Sequence, residues 1–244
     1  INAGNIDKDI AWIRSHAAGR DLTVTDLCNS TAQLAIQGPE AEQVMRDVLG
    51  LDGSDLAYYT FKHIGDLLVS RTGYTGEDGF EIYGTPDEIA AMWDKLIGSG
   101  RCAPCGLGCR DTLRFEAGLP LYGDELDDDT TPIEAGLGIF VKLDKPSFIG
   151  RDVVARQKAE GPTRKLVGLE LLGPGIARHG YDVLDLQGAK VGVITTGYKS
   201  ITLDKSIAFA MVDAAHATLG TQLQVQIRRR TVPAVVIKKR FLKG

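Results

Sequence analysis

The sequence predicts an α+β fold with antiparallel sheets and helices on one face, followed by a small all-β barrel domain. The first half of the chain runs strand, helix, two strands and helix, which is the order expected of such a layered arrangement. From Arg164 onward, five short apolar runs recur at regular spacing, as in a small barrel or sandwich. The polar segment 156–162 between them ends in a Gly-Pro pair, so we place the boundary near residues 150–163.

Caps and apolar periodicity place the individual elements. Asn5 is positioned to cap the first helix, Pro39 suits the first position of the second, and Thr85 precedes the third. The expected elements of the first half are a helix over 6–18, strands over 22–25 and 33–37, a helix over 39–49, strands over 66–70 and 80–83, and helices over 85–98 and 108–117. The later strands are expected over 165–171, 190–194, 207–211, 223–227 and 232–237.

The glycine-rich segment Thr72–Ile82 is the strongest candidate for a site. It connects two predicted strands, and glycine tolerates positive φ and lets a ligand approach the backbone closely. Glu81 lies in the second strand between two apolar residues, so it faces away from the core if they face it. A carboxylate held there can accept two parallel N–H donors. The alternative is a solvated glutamate on an exposed strand face beside a tight turn.

Two arginines lie one turn apart in the helix predicted over 108–117. Arg110 falls in the first turn, where its charge opposes the helix dipole, and Arg114 lies on the same face. That small cost makes Arg110 the better ligand-binding candidate. Arg114 is expected to pair with Asp111 or Glu116.

Composition and charge exclude several classes of protein. The formal net charge of −4 and pI of about 5.6 give the whole molecule no electrostatic footprint for nucleic acid. No apolar run approaches the roughly 20 residues of a membrane helix, so we expect a soluble chain. Residues 218–244 contain seven Lys and Arg and no acidic residue. They form either a patch for an acidic partner or charged outward positions on exposed strands.

Three cysteines at positions 102, 105 and 109 have a spacing that suggests a metal or redox site. A structural zinc site needs four ligands, and neither Cys28 nor the four histidines repeat a ligand pair. We therefore expect buried or incidental thiols in a cytosolic protein, and no metal. The three aspartates at 127–129 are interpreted as a solvated loop because successive residues rarely converge on one cation.

Six segments, taken in order along the whole chain, resemble the aminomethyltransferase (T-protein) family of the glycine cleavage system. They are Asn2–Asp9, Gln37–Pro39, Gly73–Ile82, Gly108–Gly118, Leu121–Gly123 and Phe148–Arg151. The resemblance implies the T-protein folate-binding fold, with a remnant of a preceding α+β subdomain at 1–28, a folate-binding domain at 29–150 and a C-terminal barrel at 164–244.

The resemblance also implies an activity and a set of partners. The enzyme would take the aminomethyl group carried on the lipoyl arm of H-protein, pass its one-carbon unit to tetrahydrofolate and release ammonia, as part of glycine catabolism. Its location would be cytoplasmic, or the mitochondrial matrix in a eukaryote, with no nucleic acid or membrane partner. The basic stretch near the C-terminus would suit an acidic carrier protein.

Matching positions give the implied site residues. Glu81 would hold the pterin ring, Arg110 would meet the acidic tail of the folate, and Tyr74 and Tyr122 would line the pocket. Arg178 resembles the arginine near the lipoyl channel of the family. An edge with adjacent N–H and NH2 donors suits a fixed carboxylate, and a carboxylate tail suits a guanidinium.

Two departures from the family pattern bear on activity. The Gly-Gly-x-x-Asp-Asp segment, whose aspartate is the family's catalytic residue, would lie upstream of Ile1. We therefore expect an N-terminally truncated member that has no catalytic residue and cannot turn over alone. The other departure is Cys109, where alanine is usual.

Three alternatives stay open. A non-catalytic folate-binding relative of the iron–sulfur or tRNA-modification type would carry a Lys-Gly-Cys-x-Gly-Gln-Glu signature, where this chain has Pro146–Asp152. The folate domain of a larger demethylating oxidase would follow a dinucleotide-binding glycine motif. The last alternative is a structural fragment with no ligand.

Overall fold

A computed structural model describes residues 3–242 of the chain, which divides into two compact units, Ile1–Leu107 and Gly108–Gly244. The domain limits expected from the sequence, 1–28, 29–150 and 164–244, stay a prediction. Within the described residues, no helix is both long enough and apolar enough to cross a membrane.

The first unit is built on a four-stranded antiparallel sheet with the order β1-β4-β3-β2. Its strands are β1 (Ala32–Gln37), β2 (Phe61–Ile64), β3 (Leu67–Ser70) and β4 (Gly79–Gly84). Its helices are a 3₁₀ turn (Ala3–Asn5), α1 (Ile6–Ala17), α2 (Ala41–Val44), which continues as a π-helical turn (Met45–Leu49), and α3 (Pro86–Gly98).

Both α2 and α3 cover one face of this sheet. Met45 of the π-helical turn and Leu96 of α3 join the same buried cluster as Val69, Phe80 and Ile82 of the sheet. Phe80 and Ile82 flank the polar Glu81 on β4, as one-sided burial of an antiparallel sheet requires. The α+β class with helices on one face is therefore confirmed.

Two local expectations for the first unit were wrong, and one strand was missed. Residues 22–25 form no strand, and Leu22 is exposed. Asn5 makes no side-chain capping hydrogen bond to α1, and no residue of α1 is buried. The edge strand β2 was not predicted, because its exposed Phe61 breaks the pattern expected of a half-buried strand.

The second unit contains two helices and a closed six-stranded barrel with the order β10-β5-β8-β7-β6-β9. The helices are α4 (Leu107–Glu116) and α5 (Arg151–Glu160), with 3₁₀ turns at Gly138–Phe140 and Ala214–His216. The strands are β5 (Arg164–Leu171), β6 (Asp182–Leu184), β7 (Lys190–Lys199), β8 (Ser206–Asp213), β9 (Gln222–Ile227) and β10 (Arg230–Ile237).

Five of the six barrel strands were predicted, and closure into a barrel is confirmed. Strand β6 was missed because it has only three residues. Helix α5 lies where the sequence suggested a polar connection. The helix was missed because Val154 is its one buried residue, so its sequence shows no apolar face. Outside the barrel interior, Phe115 of α4 packs against Phe209 of β8 and against Phe241.

Candidate functional site

The glycine segment connects β3 to β4 and places Glu81 near the middle of the first unit's sheet. Strand β4 lies between β1 and β3, and Glu81 stands in register with Ala35 on one side and Ser70 on the other. Its neighbours Phe80 and Ile82 are fully buried in the core. Because strand side chains alternate, Glu81 points to the opposite face, where it is half-buried.

Both oxygens of the Glu81 carboxylate accept hydrogen bonds from neighbouring side chains. Gln33 Nε2 donates to Oε1 at 2.6 Å, and Thr72 Oγ1 donates to Oε2. Ser70 Oγ lies 2.7 Å from Thr72 Oγ1. The single hydroxyl proton of Thr72 goes to the carboxylate, so Ser70 donates to Thr72. The carboxylate is thus oriented by β1 and by the segment that follows β3, and each oxygen keeps acceptor capacity for another donor.

An ion pair ties together the two ends of the glycine loop. Arg71 contacts Asp78 through Nη2–Oδ2 at 2.5 Å and Nε–Oδ1 at 3.0 Å, and it reaches Glu42 at 3.1 Å. The hydrogen bond from Arg71 lowers the pKa of the Asp78 carboxyl, against the opposing effect of burial. The guanidinium also lies 5.1 Å from the centre of the Phe80 ring. The Arg71–Asp78 ion pair therefore fixes both ends of the glycine loop. Tyr74 lies within this loop, and its side chain is half-buried.

In the second unit, Arg110 and Arg114 of α4 have different environments. Arg110 is exposed, whereas Arg114 is fully buried. Arg114 contacts Asp111 at 2.6 Å, as expected, and Glu125 at 2.7 Å. The expected alternative partner, Glu116, instead accepts hydrogen bonds from residues 200 and 202. Arg114 is therefore part of a buried ion network and is not available to a ligand.

That network extends onto strand β7 and the loop after α4. Thr195 and Thr196 each donate to Glu125 at 2.6 Å. Burial raises the pKa of the neighbouring Asp124 carboxyl, and the charge of Glu125 raises it further. The Nδ1 atom of His179 lies 3.4 Å from Oδ1 of Asp124.

Arg178 and Tyr122 lie at the surface of the second unit. The Arg178 guanidinium stands 5.5 Å from the centre of the Tyr198 ring and donates to the Gly197 carbonyl at 3.4 Å. Tyr198 donates to Asp111, and this hydrogen bond raises the pKa of the tyrosine hydroxyl. The Tyr122 hydroxyl, on the loop after α4, donates to Asp128 at 2.5 Å.

The structure does not support a metal site at the cysteines within the described residues. Within residues 3–242, no group of three or more His, Cys, Asp or Glu side chains could hold a metal ion. Three of the four thiols, those of Cys28, Cys105 and Cys109, are exposed, and Cys102 is half-buried. Of the two expected alternatives, buried or incidental, the three exposed thiols fall under the second.

Comparison with known proteins gives matches to both halves of the chain. Residues 1–145 match the GCVT N-terminal domain family, and residues 164–243 match the glycine cleavage T-protein C-terminal barrel domain family. The aminomethyltransferase of Alkaliphilus oremlandii (strain OhILAs) is 48% identical over 249 residues, covering 99% of this chain and 67% of the relative. The chain belongs to the glycine cleavage T-protein family.

Further T-protein relatives support the same assignment. The aminomethyltransferase of Caldanaerobacter subterraneus subsp. tengcongensis is 47% identical over 251 residues, covering 100% of this chain and 67% of the relative. The crystal structure of glycine cleavage system aminomethyltransferase T from Bartonella henselae matches with a TM-score of 0.92 at 35% identity, over 99% of this chain and 67% of that one. The relatives are named as transferases, and the T-protein fold expected from the sequence is confirmed.

The five predicted binding residues of this T-protein chain divide between the two units. Tyr74 and Glu81 lie together in the first unit, on the glycine loop and on the strand that follows it. Arg110, Tyr122 and Arg178 belong to the second unit. Their roles toward a ligand stay predictions.

Sequence reasoning missed the residues that orient Glu81. Gln33 and Thr72 contact its carboxylate, and Gln37 contacts the glycine loop. One signal was available in β1, where glutamines at positions 33 and 37 share the sheet face opposite the buried Leu34 and Ile36. Polar residues repeated on one face of a strand indicate a face that serves something other than the core.

Proposed function

We propose that this T-protein family member binds tetrahydrofolate in the one-carbon transfer of glycine cleavage. The transfer takes the aminomethyl unit from lipoylated H-protein to tetrahydrofolate and releases ammonia. The observation that carries the proposal is the Glu81 carboxylate, which is fixed on the sheet face opposite the core. The curated relatives, which are named aminomethyltransferases, support the reaction class.

The donors and acceptors around Glu81 fit a pterin ring. A pterin presents a ring N–H beside an NH2 group, and a carboxylate can accept both in parallel. Gln33 and Thr72 use one acceptor site on each Glu81 oxygen. An ionised carboxylate has about four such sites, so a further donor can reach each oxygen. Because two side chains fix the carboxylate beforehand, little conformational freedom is lost on binding.

The remaining predicted residues are assigned to other parts of the substrates. Arg110 is exposed in the first turn of α4, where its planar guanidinium would meet the carboxylates of the folate tail. Tyr74 and Tyr122 would line the pocket. Arg178, held over the Tyr198 ring, would lie near the lipoyl arm. All of these residues bind or orient substrate, and none is proposed as a catalytic residue.

The partners and location follow from the same proposal. An acidic carrier, the lipoylated H-protein, would meet the basic residues of the 218–244 segment. The folate-binding part would be residues 29–150 and the barrel domain residues 164–244, in a protein of the cytoplasm or the mitochondrial matrix. Tetrahydrofolate would act as the one-carbon acceptor, and no resident metal is proposed.

Titration calorimetry with tetrahydrofolate tests the proposal. Glu81→Ala should weaken binding by roughly 2–5 kcal/mol, because it removes one partner of a charged hydrogen-bonded pair. Glu77→Ala is the matched control, since Glu77 is an exposed glutamate in the same loop. Binding by the wild type and by Glu77→Ala, but not by Glu81→Ala, is the expected result. No heat from the wild type would favour a fragment with no ligand, and equal affinities in all three would contradict the pterin role.

A further inference from the structure

Gln37, the last residue of β1, contacts the start, the middle and the end of the glycine loop with one side-chain amide. Its Nε2 donates to the Thr72 carbonyl at 3.1 Å and to the Phe80 carbonyl at 3.4 Å. Its Oε1 accepts from Thr75 Oγ1 at 3.3 Å. Carbonyl groups only accept, so the amide nitrogen must face the two carbonyls and the amide oxygen must face Thr75.

The same amide occupies the space that side chains on two glycines would need. A Cβ on Gly73 would lie 1.8 Å from Gln37 Oε1, and a Cβ on Gly79 would lie 2.5 Å from Nε2 and 2.6 Å from the Ile36 carbonyl. Separations below 3.0 Å do not occur for real Cβ atoms. Gly79 is therefore required by the Ile36 carbonyl of β1, whereas a side chain at Gly73 would displace the Gln37 amide.

The third glycine of the loop is required for a different reason. Gly76 has a φ of 84°, whereas neither Gly73 nor Gly79 has a positive φ. It is exposed in a bend of the backbone, where the left-handed conformation favours glycine. Of the three glycines, Gly76 allows a bend with positive φ, and Gly73 and Gly79 lie against Gln37.

The contacts of Gln37 lead directly to Glu81. Thr72, whose carbonyl binds Gln37, donates its hydroxyl to the Glu81 carboxylate. Phe80, whose carbonyl also binds Gln37, precedes Glu81 in β4. A shift of the amide would therefore move both a donor to the carboxylate and the backbone that carries it.

We propose that Gln37 is a positioning residue for the folate site, which aligns the Glu81 carboxylate by holding Thr72 and Phe80. The inference rests on the proposed function, because it assigns to Glu81 the binding of the pterin edge. Gln37 itself touches no substrate in this assignment. Its contribution is to the affinity that Glu81 provides.

Two substitutions at position 37 separate the hydrogen bonds from the shape of the side chain. Gln37→Glu keeps the shape but places an oxygen against the two carbonyls, and Gln37→Met keeps the length without any donor. Each should weaken tetrahydrofolate binding by about tenfold or more, as expected when a charged hydrogen bond is misaligned. Gln187→Glu, at an exposed turn, makes the same chemical change and should leave the affinity unchanged.

A double-mutant cycle distinguishes positioning from general destabilisation. In a Glu81→Gln background, the loss caused by Gln37→Glu or Gln37→Met should shrink toward zero, because coupled residues do not act additively. Wild-type affinity in both position-37 variants would overturn the inference. An equal fold-loss in both backgrounds would overturn it too, since it would show an effect that does not pass through Glu81.

A stability cycle tests the contact without any ligand. Gly73→Ala should destabilise the wild type, and it should destabilise the Gln37→Ala variant much less, because the space of the amide is then free. Equal destabilisation in both would contradict the role of Gln37. If the wild type fails to bind tetrahydrofolate while this coupling is found, the proposed function fails but the contact between Gln37 and the loop stands.

Discussion

Arg114 and Arg110 differ in burial, although they lie one turn apart in α4. Arg114 is fully buried between Asp111 and Glu125, and the side chain of Glu125 is fully buried as well. Burial lowers the pKa of the Arg114 guanidinium, but these carboxylates outweigh burial and raise it overall. Arg114→Leu should lower the free energy of unfolding by about 3–5 kcal/mol, because it leaves a buried carboxylate unpaired.

Arg110→Leu is the control for that substitution. Arg110 is exposed in the same helix, so its replacement should change stability by less than about 0.5 kcal/mol. Urea denaturation of both variants provides the measurement. In calorimetry, the affinity for tetrahydrofolate should depend on Arg110, the arginine whose replacement leaves stability unchanged. A loss of stability equal in both variants would contradict the division between a structural and a ligand-binding arginine.

At the residue scale, the sequence predicts which face a side chain occupies better than which atoms it meets. The orientation of Glu81 followed from strand alternation alone, and the structure has its two neighbours in the core. The ion pair of Arg114 with Glu125 could not be predicted, because it depends on how the loop after α4 folds back onto the helix. The hydrogen bond from Gln33 to Glu81 depends on the register between β1 and β4. These strands are separated in sequence by about half the length of the first unit, so local patterns do not determine their register.

At the scale of elements, the start of α3 is specified by local chemistry. Thr85 accepts a hydrogen bond from the Glu88 backbone, and the Glu88 carboxylate accepts from the Thr85 backbone at 2.8 Å. Thr85→Ala should cost about 1 kcal/mol, because the Glu88 backbone N–H of the first turn loses the hydroxyl that accepts its hydrogen bond. Thr85→Ser should retain most of that stability in urea denaturation. A serine variant as unstable as the alanine variant would show that the hydroxyl is not what matters.

Elements that depend on neighbours were less predictable than α3. The capping sequence before α3 and the alternation in β4 lie within a few residues, so the sequence specified both. The run at 22–25 alternates like a strand but forms no strand pairing in the described chain, and only Val24 of its four residues is half-buried. Helix α5 is the opposite case. Its polar sequence did not predict a helix, yet the segment forms one and buries Val154.

At the scale of the whole molecule, charge is unevenly distributed. The chain carries a formal net charge of −4, yet residues 218–244 contain no acidic residue. The turn between β9 and β10 places Arg228 and Arg229 side by side on the surface. A concentrated positive surface on an acidic protein attracts a negatively charged partner over about one Debye length, and salt screens that attraction.

Charge reversal at this turn should therefore weaken binding to lipoylated H-protein, the proposed partner. Arg228→Glu with Arg229→Glu should reduce the affinity by about tenfold at low salt, mainly through slower association. Arg156→Glu with Lys158→Glu changes the net charge equally on an exposed part of α5 and serves as the control. Surface plasmon resonance at two salt concentrations measures both pairs. The difference between the pairs should narrow at high salt, because screening weakens the contribution of exposed charges. Equal losses in the two pairs would indicate that overall charge governs the association, and would remove the turn from the interface.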